Sequence, residues 1–226
     1  MNADSTAEHG IFLMLALARR YNETQQSIAD QILGDPAGIG LSGKTVGILG
    51  FGHVGKELAK RLQGFDVSIF AIKRNPSEKL AGEFELDFLG GQKDIPYLLE
   101  QSDFVILCSS LTRDIRDLIG RKELERMKRS AYLINLSRGP IIQYDALLSA
   151  LEEEKIQGAG LDVFWSEPIA PQDPLLRHNV IATPHVAGWT DVSASRIGEK
   201  VAKNILKIEK GEVPENCVNL DQIRPA

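Results

Sequence analysis

The stretch that decides the fold is GILGFGHVG, Gly47 to Gly55. It overlaps the β-branched run TVGIL and opens a helical pattern over 54–63. That is the strand, turn and helix setting a dinucleotide-binding glycine fingerprint requires. In it Gly50 is expected to make the tight turn, Gly52 to let the backbone approach a pyrophosphate, and Gly55 to let helix and strand pack closely. The phosphates would meet backbone N–H groups at the helix N-terminus, near His53 and Val54. By itself the motif reads equally as a tight turn without a ligand, so its weight rests on its surroundings.

Outward from it, short apolar runs alternate with helical patterns. TVGIL, VSIFAI, FVILC, AYLIN, GAGLDV and VIAT read as strands. This alternation predicts an α/β fold with a doubly wound parallel sheet of six strands, the Rossmann arrangement. Upstream, residues 7–21 read as an amphipathic helix and 24–33 as a shorter one, followed by the loop GDPAGIGLSG. Downstream, 192–210 reads as a closing helix. The predicted organisation is N-terminal helices and linker over 1–40, a dinucleotide-binding domain over 41–190, and a C-terminal helix and tail over 191–226.

The chain has 226 residues, 43% of them hydrophobic, enough to bury a core. Its net charge of −5, from 26 basic and 31 acidic residues in mixed clusters, argues against a nucleic-acid or anionic-membrane surface. Cys108 ends an apolar run, where a buried free thiol is usual, so its pairing with Cys217 is not expected and a reducing compartment is inferred. The apolar stretch 11–18 is too short to span a bilayer and lacks a basic flank. A cytoplasmic location is the default.

Three further residues stand at expected strand ends or just beyond them: Arg138 in NLSRGP, Glu167 in GLDVFWSEP and His185 in TPHVAG. A guanidinium holds a carboxylate through two parallel hydrogen bonds. An imidazole delivers a proton near neutral pH, and a glutamate beside it favours its charged form. Each has a plainer reading, respectively a surface ion pair, a turn residue before Pro168 and a satisfied histidine after Pro184. Their joint place at carboxyl ends of strands, where open α/β sheets bind ligands, favours the catalytic one.

At these residues the chain resembles the D-isomer-specific 2-hydroxyacid dehydrogenase family. The resemblance runs from AEHGIFLMLALARR through GKTVGILGFGHVG, NLSRGPIIQYDAL, AGLDVFWSEP and NVIATPHVAG to about Gly211. It implies an NAD(P)-dependent oxidoreductase acting on a small 2-keto or 2-hydroxy acid such as glyoxylate or hydroxypyruvate, with Arg138, Glu167 and His185 catalytic. It also implies a homodimer formed around the Ala7 helix, and a C-terminal helix belonging to the substrate domain. Family members carry a substrate-domain segment of about 100 residues, a common small-domain size, ahead of the Ala7 helix. Six residues precede that helix here, so the segment is expected to be missing. The alternative is a truncated, catalytically weak module that binds dinucleotide and dimerises.

The resemblance assigns further cofactor contacts. Where an acidic residue would hold the ribose of NAD stand Lys73 and Arg74, which suit the 2′-phosphate of NADP, although KRNPSEK is also readable as a solvated basic loop. Ser109 and Thr112 fall where the family lines the adenosine side, and Leu136 and Ser137 where the backbone nears the nicotinamide. Asp162 resembles the aspartate that accepts from the nicotinamide carboxamide, and Arg138, His185 and Gly188 are further candidate cofactor contacts. An aspartate in an apolar run is costly unless partnered. No metal is expected.

Overall fold

The computed structural model describes residues 1–109, 115–217, 219 and 220. Two compact units divide them: Ala3–Gly188, and Met1–Asn2 with the residues from Trp189 onward.

The larger unit is built on seven parallel strands, β1 (Thr45–Leu49), β2 (Ser68–Ile72), β3 (Phe88–Gly90), β4 (Phe104–Leu107), β5 (Tyr132–Asn135), β6 (Gly158–Leu161) and β7 (Val180–Ala182), in the order β3-β2-β1-β4-β5-β6-β7. The order reverses between β1 and β4, so both strands' carboxyl ends open onto one crevice. The sheet has one strand more than the six predicted. The extra strand, β3, is a three-residue edge element whose register pairs Phe70 with Phe88. Only Gly90 in it is buried, so FLG is too short to show a period.

Side chains alternate across the sheet as a period of two demands. Val46, Ile48, Phe104, Ile106 and Ile134 enter one core layer. Leu49, Val105, Leu107, Leu133 and Leu161 enter the other. The first layer is covered by α1 (Ala3–Ala18) and α3 (His53–Leu62), the second by α5 (Ile95–Gln101), α6 (Arg121–Arg126) and α7 (Tyr144–Glu152). Helix α3 buries Gly55, Leu58, Ala59 and Leu62, a single stripe at helical spacing. Helix α1 begins four residues earlier than predicted and lies against α3, β5, β6 and β7, with Leu13, Met14 and Leu17 buried. It is followed by α2 (Tyr21–Ala29), and the short α4 (Glu78–Glu83) precedes β3.

The smaller unit centres on α8 (Asp191–Glu209). Its first turn is closed by a reciprocal cap, Ser193 N–H donating to Thr190 Oγ1 at 3.2 Å and Thr190 N–H to Ser193 Oγ at 2.8 Å. Val201, Ile205, Leu206 and Ile208 of α8 are exposed. Among the described residues no helix is long and apolar enough to cross a membrane. Both cysteines are free thiols.

Candidate active site

The glycine loop leaves β1 at Gly50, whose φ of +107° is open to glycine alone without strain. A side chain there would collide with Ser109 of the neighbouring strand end, Cβ to Oγ 2.3 Å. Gly52 caps α3, and a Cβ on it would enter open space. Gly55 faces the Gly50 carbonyl, 2.5 Å from where a Cβ would lie. His53 and Val54 form the first turn of α3. A positive-φ turn, a glycine at a helix N-terminus and close helix packing suit the pyrophosphate of a dinucleotide.

After β2, Lys73 Nζ donates to the Phe51 carbonyl at 3.2 Å, which brings an ammonium against the glycine loop. Arg74 is exposed beside it. After β4, Ser109 Oγ donates to the Leu49 carbonyl at 3.1 Å, and the Ser137 hydroxyl donates to the Ser109 carbonyl. Thr112 lies outside the described residues. Leu136 and Ser137 follow β5 and are buried.

The turn that carries Arg138 is pinned by Asn135, which sequence reasoning passed over. Asn135 is fully buried, its Oδ1 accepting from Ser137 N–H and its Nδ2 donating to the Arg138 carbonyl, each at 3.0 Å. An amide ending the apolar run AYLIN was the available signal, because a buried amide must find partners. The exposed Arg138 guanidinium donates to the Ser137 carbonyl at 2.6 Å.

Glu167 and His185 meet across the strand ends. His185 Nδ1 donates to Glu167 Oε2 at 2.8 Å, and Glu167 Oε1 accepts from Phe164 N–H at 3.1 Å. Burial pushes the Glu167 carboxyl up. The hydrogen bonds from His185 and Phe164, with the charges of His185 and Arg138, outweigh that and leave it below its ordinary value. Both side chains are partly open to solvent, 43% for His185 and 39% for Glu167, so a substrate can reach them. With Nδ1 bonded to the carboxylate, Nε2 is left to exchange a proton.

His185 has a φ of +57°, uncommon for any residue but glycine. The turn is held by Asp162, just past β6 and 1% exposed. Its Oδ1 accepts from Thr183 Oγ1 at 2.7 Å and from Val186 N–H at 2.9 Å, and its Oδ2 from Ala187 N–H at 2.9 Å. Gly188 closes the segment. Among the described residues no group of three or more His, Cys, Asp or Glu could hold a metal ion.

A parallel α/β sheet with a glycine loop at its reversal point, and an acid–imidazole pair at the same edge, define a dinucleotide-dependent oxidoreductase. The profile of the D-isomer specific 2-hydroxyacid dehydrogenase, NAD binding domain, matches residues 11–187. A glyoxylate reductase of Korarchaeum cryptofilum is 38% identical over 231 residues, covering 98% of this chain and 68% of its own length. The D-lactate dehydrogenase of Escherichia coli superposes with a TM-score of 0.83 at 31% identity, over 95% of this chain and 67% of that one. A D-isomer specific 2-hydroxyacid dehydrogenase of Xanthobacter autotrophicus in complex with NADPH and MES gives 0.79 at 27% identity, over 95% of this chain and 87% of that one. This chain belongs to the D-isomer specific 2-hydroxyacid dehydrogenase family. Its activity is NAD(P)-dependent oxidoreduction of a hydroxy acid.

Proposed function

We propose that the protein reduces a small 2-keto acid of the glyoxylate or hydroxypyruvate kind to the 2-hydroxy acid. The observation that carries this is the 2.8 Å contact of His185 with Glu167, in a group that Arg138 influences electrostatically. Arg138 holds the substrate carboxylate and polarises the neighbouring carbonyl. The nicotinamide, when bound, supplies the hydride. His185 gives the proton from Nε2 to the carbonyl oxygen, while Glu167 orients the ring and balances the charge it carries before transfer. The glyoxylate reductase and D-lactate dehydrogenase relatives support a small, carboxylate-bearing substrate.

Gly50, Gly52, His53, Val54 and Gly55 would receive the pyrophosphate, and Ser109, Leu136, Ser137, Asp162 and Gly188 would border the rest of the dinucleotide. Lys73 and Arg74 favour NADP, because neither is the carboxylate that would bind the free ribose of NAD. The exposed Phe12 of α1, with Tyr21, Ile28 and Leu33 in and after α2, supports a homodimer formed around α1. The test is oxidation of NADPH and NADH by the purified protein against a panel of 2-keto acids. Reduction of glyoxylate or hydroxypyruvate faster with NADPH is expected, and no turnover of any 2-keto acid would overturn the reading.

A further inference from the structure

One side chain of α1 reaches the turn that presents His185. His9 Nε2 lies 2.8 Å from Thr183 Oγ1 and 3.5 Å from Asp162 Oδ1. The Thr183 hydroxyl has a single proton to give, and an ionised carboxylate can only accept. Since Thr183 Oγ1 stands 2.7 Å from Asp162 Oδ1, that proton goes to Asp162. The Thr183 oxygen must then accept from His9, so the His9 proton sits on Nε2. Burial pulls the His9 imidazole below its ordinary value, and Asp162 opposes the pull without cancelling it, which favours the neutral ring near pH 7.

The chain of donors has a direction and an end. His9 donates to Thr183, Thr183 to Asp162, and Asp162 accepts the two backbone N–H groups that follow His185. Those two bonds hold a residue whose φ of +57° costs free energy and persists only when its surroundings over-determine it. We propose that His9 is a positioning residue for the reaction: through Thr183 and Asp162 it fixes the turn that aims the His185 imidazole. This rests on the reading of His185 as the proton donor. His9 touches none of the reacting groups.

Four variants test it. His9→Leu and Thr183→Val remove a donor at nearly constant size, whereas His9→Gln and Thr183→Ser keep one. The first pair should lower kcat by about 10-fold to 100-fold, the scale of a small misplacement of a reacting group, while KM for the keto acid stays within about 2-fold. The second pair should restore most of kcat. His9→Leu combined with Thr183→Val should be no slower than Thr183→Val, because the two act in series. A wild-type kcat in His9→Leu, a His9→Gln protein as slow as His9→Leu, or losses that multiply in the double variant would overturn the proposal. Long-range 15N NMR of the whole protein supplies a readout free of turnover. It should show the His9 proton on Nε2, and His185 ring resonances that move in His9→Leu and return in His9→Gln. A proton on Nδ1 of His9, or unmoved His185 resonances, would overturn it even if wild-type protein reduces no keto acid, an outcome that would separately defeat the reading of His185.

Discussion

Gly139 lies directly beneath Phe164: a Cβ at Gly139 would sit 2.2 Å from the Phe164 carbonyl carbon and 2.5 Å from Trp165 N. The loop that delivers Glu167 therefore rests on the backbone that delivers Arg138. The three nearest atoms are all backbone, so Gly139→Ala must separate the two loops. A stability loss of about 1–3 kcal/mol is expected, the usual cost of overpacking. It should come with a higher KM for the keto acid, and urea unfolding with steady-state kinetics would check both. A variant with wild-type KM would show that the contact does not hold Arg138 in place.

His185→Ala should lower reduction by about 10²-fold to 10⁴-fold, the range for a positioned general acid. NADPH affinity, titrated by fluorescence, should stay unchanged, since the imidazole acts on the substrate oxygen. Equal losses in dinucleotide binding and turnover would move His185 from proton transfer to cofactor support.

Arg74→Ala should weaken NADPH by about 1–3 kcal/mol, the scale of a charge-assisted hydrogen bond, and leave NADH nearly unaffected. Titration of both cofactors into wild-type and variant protein decides it. Equal affinities for NADPH and NADH in the wild type would leave the basic pair as a solvated loop.

The depressed Glu167 carboxyl makes a signed prediction about acid. A carboxylate held below its unfolded value adds stability that is fully present above that value and is lost as pH falls through the folded one. The stability gap between wild type and Glu167→Gln, read as urea midpoints, should shrink as pH falls below about 4.3, the ordinary glutamate value. The pair is half exposed, so the gap should also narrow in high salt. A gap independent of pH down to acid unfolding would remove the ion pair from the account.

Tyr144 makes the opposite prediction at the alkaline end. Burial, then its hydrogen bond to Asp173 at 2.9 Å, pushes the phenol up to about 12. Its ring meets Trp165 edge to face at 5.1 Å, and Trp165 Nε1 donates to the Ile142 carbonyl at 2.6 Å, close to the Glu167 loop. The favoured form is neutral, so its contribution is complete below about pH 10, the unfolded value, and disappears as pH rises through the folded one. The difference absorbance titration of wild type against Tyr144→Phe should show one phenol ionising near 12. An ionisation near the ordinary tyrosine value would sink the prediction.

Much of the molecule was legible in the sequence because its signals are local. The β-branched run 45–49, the glycines at 50, 52 and 55, and the apolar stripe Leu58, Ala59 and Leu62 each depend on neighbours within a turn or a strand, and periodicity reports that. Arg138, Glu167 and His185 stood out by residue type beside glycine and proline. What only the tertiary structure decided is which side chains support them. β3 exists because β2 offers an edge to three residues with no pattern of their own. Asn135, Thr183 and His9 look like ordinary strand-end, loop and helix residues until the parallel strands bring Asp162 beside Thr183 and lay α1 across both. A buried polar group must find partners, but the identity of those partners is fixed by contacts between residues as far apart as His9 and Thr183, a separation no local pattern can carry.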